Sequence, residues 1–253
     1  MRHRGGPDAV EARMSFNQQA FAIRCEWGAN GVAQLAPDSD AVVIVDVLSF
    51  TTCVDIAVGN GAVVYPYRWR DASALAYAQS LDAILARPRR QRDIGYSLSP
   101  ASLVTIPSGT RLVLPSPNGA ALTLATGQVP TFAGCLRNAT AVARALQRQG
   151  RRISIIPAGE RWADGSLRPA IEDLVGAGAI ICHLPGTRSP EAELAASAFQ
   201  HVRHNLRCAL KSCGSAMELI GHGFEPDVDL ALALDVSDRV PVLTQGAYRH
   251  QGA

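Results

Sequence analysis

Residues 41–48 read Ala41, Val42, Val43, Ile44, Val45, Asp46, Val47, Leu48. An unbroken β-branched run, with no polar alternation, describes a strand buried on both faces, as in a parallel sheet covered by helices. Val54, Ile56, Ala57 and Val58 then fall at helical spacing, which predicts a helix over 51–59. The same alternation extends in both directions. Strands are expected at 21–26, 63–67, 83–86, 111–115, 131–134, 153–156 and 240–243. Helices are expected at 71–79 with Asp71 as N-cap, at 120–125, and at 138–149 between an Asn138 cap and a Gly150 stop. Further helices are expected at 169–181 with Pro169 in the first position, and near 190–206, 213–221 and 227–234. Strands alternating with helices imply a three-layer α/β/α fold with a mostly parallel sheet. Residues 15–250 read as a single α/β domain. Residues 1–14 read as a disordered leader, or as an over-extended start with Met14 as the initiator.

Composition narrows the function. Of 253 residues, 47% are hydrophobic and 18% charged, enough apolar material for a core and too little charge for disorder. The formal net charge of +2, from 24 Lys and Arg against 22 Asp and Glu, excludes a dedicated nucleic-acid-coating protein. Lys211 is the only lysine, so a catalytic lysine could only be Lys211. The six cysteines form no CxxC pair and read as reduced thiols of a cytoplasmic protein. The apolar runs at 41–48 and 174–184 fall short of the roughly 20 residues of a membrane span. Residues 1–13 lack the apolar centre of a secretory signal.

Open α/β sheets bind ligands outside the carboxyl ends of their strands. Polar and glycine-rich residues follow four of the expected strands. They are Asp46, Ser49, Thr51 and Thr52; Ser116, Asn118 and Gly119; Gly134, Cys135 and Asn138; and Gly159 and Glu160. If these strands run parallel, the four sets share one edge. Helix starts at 49–52 and 118–119 present unpaired N–H groups that suit an anion, phosphate above all. The chain has no GxxxxGK[ST], no GxGxxG and no G-x-S-x-G. These absences weigh against a nucleotide P-loop, a dinucleotide fold and an α/β-hydrolase.

Asp46 stands inside the most apolar strand, where a bare carboxylate needs a partner. A paired aspartate capping the next helix is one reading, and a divalent-cation ligand is the other. Glu160, Glu172 and Asp173 add carboxylates downstream, although acids in a helix's first turn also favour the dipole. Hard oxygen ligands of this kind suit Mg²⁺. Arg161 and Arg168 could clamp phosphate or carboxylate. The arginine-rich segment 87–92 reads as a solvated loop or as a basic lid over an anionic substrate. His183, His201, His204, His222 and His250 lack metal-like spacing and are read as structural.

Taken in order, these motifs resemble the 2-phosphosulfolactate phosphatase family. The matching pieces are Val43-Ile44-Val45-Asp46-Val47-Leu48 with Thr51-Thr52, Ser116-Pro117-Asn118-Gly119, Gly134 to Val142 through Asn138, Pro157-Ala158-Gly159-Glu160, the Glu172-Asp173 pair and Gly176 to Ile181. The resemblance covers roughly residues 21–242. It implies a Mg²⁺-dependent phosphatase acting on phosphate monoesters of short hydroxy acids, in the cytoplasm, in coenzyme M biosynthesis. A homodimer is the expected assembly, with a small phosphorylated acid as substrate and no nucleic-acid or membrane partner. Carried over by position, Asp46, Glu160 and Asp173 are the catalytic candidates, with Asp46 as nucleophile or metal ligand. Asp46, Glu160 and Glu172 are the metal candidates. Ser49, Thr51, Thr52, Ser116, Asn118, Gly119, Asn138, Arg161 and Arg168 are the substrate-binding candidates. The chain departs from the family at Ser49-Phe50, where arginine often follows Asp-x-Leu, and at Ala120-Ala121, where Thr-Arg often follows Asn-Gly. Ala86-Arg87-Pro88 stands where a Gly-Glu-Arg segment often occurs. The departures motivate a second hypothesis, a non-catalytic phosphometabolite-binding protein on the same scaffold.

Overall fold

The structure, a computed structural model, describes residues 16–69, 71–89 and 95–251. The expected leader, residues 1–14, and residues 90–92 of the arginine run lie outside these. Among the described residues, nine strands form one sheet. In chain order they are β1 (Ile23–Cys25), β2 (Ala41–Val45), β3 (Val63–Tyr67), β4 (Ile84–Leu85), β5 (Arg111–Pro115), β6 (Thr131–Gly134), β7 (Ile153–Pro157), β10 (Pro241–Thr244) and β11 (Ala247–His250). A separate two-stranded hairpin is made by β8 (Glu160–Arg161) and β9 (Leu167–Arg168). The sheet order is β1-β7-β2-β6-β10-β11-β3-β5-β4.

Two parallel runs make up this sheet. One is β1-β7-β2-β6 and the other is β3-β5-β4. The antiparallel hairpin β10–β11 joins them, with β10 antiparallel to β6 and β11 antiparallel to β3. The sheet is therefore mostly parallel, but the two runs point in opposite senses. The condition set on the shared edge fails for β5, which does not run with β2. Strand twist of about 20–25° per pair accumulates between them. The ends of β2 and β5 meet nonetheless, as the site geometry shows.

Helices cover both faces. The ten α-helices among the described residues are α1 (Gly28–Leu35), α2 (Phe50–Gly59), α3 (Ala72–Ser80), α4 (Gly119–Ala125), α5 (Ala139–Leu146), α6 (Ile171–Ile181), α7 (Pro190–Val202), α8 (Leu206–Lys211), α9 (Gly214–Gly221) and α10 (Glu225–Ala231). Val43 and Val45 of β2 pack toward α5, α6 and α7, while Val42 and Ile44 pack toward α1 and Leu122 of α4. That two-sided burial is what the uninterrupted β-branched run encodes. The second run packs β3 and β5 against α2 on one side, and Tyr65 and Val113 against Ala78 of α3 on the other.

Several local expectations need correction. Pro169 does not open a helix, because the chain is still leaving the β8–β9 hairpin; α6 begins at Ile171 with Ala170 as N-cap. Asn138 makes no side-chain cap on α5. The expected cap of Asp71 on α3 is present, its carboxylate accepting from Ser73 N. Helix α1 and strand β11 went unanticipated, as did the separate helix α8. No helix among the described residues is long and apolar enough to cross a membrane.

Candidate active site

Asp46 leaves the end of β2, 6% exposed, and its carboxylate is gripped by two helix starts. Phe50 N at the start of α2 donates to Oδ1 at 3.1 Å. Gly119 N at the start of α4 donates to Oδ2 at 2.8 Å. The two helix N-termini anticipated for a substrate anion thus hold the protein's own carboxylate. Their unpaired N–H groups satisfy the largely buried carboxylate. Glycine is required at position 119, since a Cβ there would lie 2.4 Å from Phe50 Cδ1 and 2.7 Å from Asp46 Oδ2.

Two threonines shape the turn between β2 and α2. Thr51 Oγ1 donates to Asp46 O at 2.8 Å and accepts from Asp46 N at 3.0 Å. Thr52 Oγ1 donates to Val47 O at 2.8 Å. From α6, Asp173 braces the neighbouring strand ends, accepting from Val47 N at 2.7 Å and from Gly159 N at 2.9 Å. Glu172 is buried beside it and accepts from the Cys213 thiol at 3.3 Å.

Beyond Gly159 the β8–β9 hairpin carries Glu160, Arg161 and Arg168. Asn118 Nδ2 donates to Glu160 Oε2 at 2.8 Å, and Asn118 N donates to Ser116 Oγ at 3.3 Å. Arg168 Nη2 donates to Ser215 Oγ at 3.1 Å, with its guanidinium 5.8 Å from the Trp162 ring centre. These groups open onto a cavity of about 440 Å³, within the range of small-ligand sites. Its lining includes Asp46, Ser49, Ser116, Asn118, Glu160, Arg161 and Arg168, together with Arg89, Leu98, Ser215, Glu218 and Leu219.

Burial raises Asp46, Glu160 and Asp173, and neighbouring carboxylates add to the rise. Burial pushes the Glu160 carboxyl up to about 7, and the charge of Asp46 adds to the push. Burial also raises Asp46, against the stabilising N–H bonds from Phe50 and Gly119, with Glu172 adding to the rise. Asp173 is raised well above the usual carboxylate range by burial first and then by Asp46 and Glu172. Arg89 opposes the rise at Asp46 and Arg168 the rise at Glu160. The cavity therefore combines clustered carboxylates with flanking guanidinium groups, an arrangement suited to an anionic ligand and a proton donor of near-neutral pKa.

Comparison with known proteins follows the same line. A profile described as 2-phosphosulpholactate phosphatase matches residues 32–246, which include every cavity-lining residue. The chain belongs to this family. It is 33% identical over 138 residues to the 2-phosphosulfolactate phosphatase of Methanothermobacter thermautotrophicus, a match covering 54% of this chain and 58% of that one. It is 27% identical over 220 residues to a probable 2-phosphosulfolactate phosphatase of Caldanaerobacter subterraneus subsp. tengcongensis, covering 82% and 89%. A probable 2-phosphosulfolactate phosphatase of Parasynechococcus marenigrum is 29% identical over 218 residues, covering 80% and 88%. The name shared by the family and these relatives is that of a phosphoric monoester hydrolase.

Within this member of the 2-phosphosulpholactate phosphatase family, the expected residues fall in three places. Asp46, Ser49, Ser116, Asn118, Glu160, Arg161 and Arg168 come together at the cavity. Thr51, Thr52, Gly119, Glu172 and Asp173 lie behind its wall, where their polar groups hold backbone, Asp46 or Cys213. Asn138 is fully buried away from the cavity. Its Oδ1 accepts from Cys135 N at 2.9 Å, and its Nδ2 donates to Ala133 O and Arg239 O, each at 3.3 Å. The segment leading into β10 covers this end of β6, with Asp235 N donating to Leu136 O at 3.0 Å.

Three groups came with little or no sequence signal. Arg89 lay in the basic run without any feature to separate it from its neighbours. Ser215 and Glu218 reach the cavity from α9, far along the chain. Lys211 bonds to Glu225 at 2.9 Å and Asp229 at 2.8 Å, away from the cavity, so no lysine serves the site. Among the described residues no three His, Cys, Asp or Glu side chains are grouped to hold a metal ion.

Proposed function

We propose that the protein hydrolyses the phosphate monoester of a small hydroxy acid of the 2-phosphosulfolactate type, with Mg²⁺ as cofactor. The observation that carries this reading is the Asp46 carboxylate, fixed between Phe50 N and Gly119 N at the wall of a cavity that also holds Glu160, Asn118 and two arginines of the β8–β9 hairpin. Both oxygens are oriented before substrate arrives, so little reorganisation accompanies reaction. Such fixed geometry suits either a nucleophile or a cation ligand. Glu160, with a carboxyl near 7, suits the general acid that delivers a proton to the departing ester oxygen. Asn118 holds Glu160 through Oε2 and leaves Oε1 for that proton. Arg161 and Arg168 gather the anionic groups of the substrate.

The donor set fits Mg²⁺ in its usual manner, with one or two carboxylates, waters and a substrate phosphate rather than an all-protein cage. Asp46 would hold it, because its carboxylate lines the cavity with both oxygens fixed, while Glu160, expected as a second ligand, keeps its proton as the general acid. Glu172, the third expected ligand, stands behind the wall on Cys213. When bound, the cation would neutralise charge on the phosphoryl group and draw electrons from phosphorus. The non-catalytic alternative is less well supported, since the relatives carry a hydrolase name and the cavity holds a proton donor of suitable pKa. A homodimer in the cytoplasm, serving coenzyme M biosynthesis, completes the proposal.

The test is release of inorganic phosphate from 2-phosphosulfolactate, 2-phospholactate and 3-phosphoglycerate, with Mg²⁺ and with chelator. Turnover of at least one acid only with Mg²⁺ is expected. Failure with all three at several pH values would sink the proposal. Light scattering on the purified protein checks the dimer, and a monomer mass would remove it.

A further inference from the structure

Arg89 joins the cavity wall from the segment that follows β4. Its Nη2 donates to Ser49 Oγ at 2.6 Å and its Nε to Leu98 O at 2.9 Å. The guanidinium also lies over the Phe224 ring, 5.4 Å from its centre. Among the described residues Nη1 makes no hydrogen bond. Behind the guanidinium stands Asp227 of α10, 1% exposed. Asp227 Oδ1 accepts from Ser99 Oγ at 2.6 Å and from Ala101 N at 3.0 Å. Its Oδ2 is buried without a hydrogen-bond partner among the described residues, 3.8 Å from Arg89 Nε. One buried carboxylate thus fixes the 99–101 turn with one oxygen and faces Arg89 with the other.

A buried carboxylate without a donor is costly unless a charge compensates it. Here the compensating charge is the cation that lines the cavity. Loop arginines otherwise sample many rotamers, so a buried counter-charge, a carbonyl and an aromatic face on one guanidinium fix its direction. We propose that Arg89 is an oxyanion-binding residue of the cavity and that Asp227 is the positioning residue that aims it. The oxyanion belongs either to the phosphoryl group or to the acid group of the substrate. This rests on the phosphatase reading for the substrate class, but the geometry requires only that the cavity take an oxyanion.

The test is isothermal titration of inorganic phosphate and, separately, of lactate into wild type, Arg89→Met, Asp227→Asn and the double variant. KM and kcat for hydrolysis are measured alongside. Asn at 227 keeps the acceptor for Ser99 and Ala101 and replaces the charged oxygen facing Arg89 by an amide N–H₂, and thermal unfolding checks that each variant folds. Loss of a charged hydrogen bond corresponds to about ten-fold weaker binding or more. Arg89→Met is expected to weaken one of the two ligands by that factor, and the ligand affected identifies the group Arg89 holds. Asp227→Asn is expected to weaken the same ligand and to act on KM more than on kcat. The double variant should be no weaker than Arg89→Met, because Asp227 acts through Arg89. Unchanged affinity for both ligands in Arg89→Met, additive losses in the double variant, or no binding of either ligand by wild type overturns the proposal. Titration needs no turnover. Loss of phosphate binding in Arg89→Met by a protein without hydrolysis would therefore defeat the phosphatase reading and keep this one.

Discussion

Replacing Glu160 by Gln should make the protein more stable above neutral pH while removing hydrolysis. Glu160 is partly buried beside Asp46, and its carboxyl rises from 4.5 to about 7 on folding. Folding therefore favours the protonated form. The stability tied to that form is fully present below the unfolded value and is lost as pH rises through about 7. The difference corresponds to ~3 kcal/mol at full effect, with solvent access at the cavity mouth reducing it. Gln cannot ionise, yet it keeps a carbonyl oxygen for the bond from Asn118 Nδ2. It also takes away the repulsion that Glu160 and Asp46 exert on each other. For a chain of this size 2 kcal/mol is about 4–8 °C in Tm. Thermal unfolding of wild type and Glu160→Gln from pH 5 to 9 gives the answer. The two Tm curves should meet near pH 5 and separate by about that amount at pH 8.5, with the variant higher. Parallel curves, or a variant less stable than wild type at pH 8.5, would refute the reasoning.

Gly119→Ala places a Cβ 2.4 Å from Phe50 Cδ1 and 2.7 Å from Asp46 Oδ2. It should cost ~1–3 kcal/mol in urea unfolding and displace the Asp46 carboxylate. Phosphate release should fall at least about ten-fold, and full activity would contradict the assigned geometry. Asp173→Asn sets an amide N–H₂ against Val47 N or Gly159 N, where the carboxylate now accepts from both. A loss of ~1–3 kcal/mol is expected in the same assay, together with lower activity; unchanged stability would show that the brace is unimportant. Chelation should stop phosphate release and added Mg²⁺ restore it, with activity that survives chelation counting against the cofactor.

What could be read from the sequence follows from what each feature depends on. The double burial of β2 was legible because β-branched residues without alternation have few other uses. Asp46 was legible because a carboxylate inside that run needs a partner. Its partners were not legible, because Gly119 reaches it across two sheet runs of opposite sense, and that sense is set by the terminal hairpin β10–β11. Thr51, Thr52 and Asn138 looked like ligand-facing residues because short polar side chains near helix starts serve backbone and ligand alike. Only the surrounding chain decides, and at Asn138 the covering segment near Arg239 does so. Helix α1 was hidden by its two glycines and an asparagine, which have low helix propensity. Arg89 could not be told from the other arginines of its run, since loop charges carry no period and its partners come from α2 and α10.

The most direct test compares wild type with Asp46→Asn for Mg²⁺-dependent phosphate release from phosphorylated hydroxy acids. Asn keeps one carbonyl acceptor but loses the charge and one of the two N–H contacts that fix the group. The account predicts turnover by wild type and none above background for a folded Asp46→Asn. Equal turnover by the two proteins would contradict it.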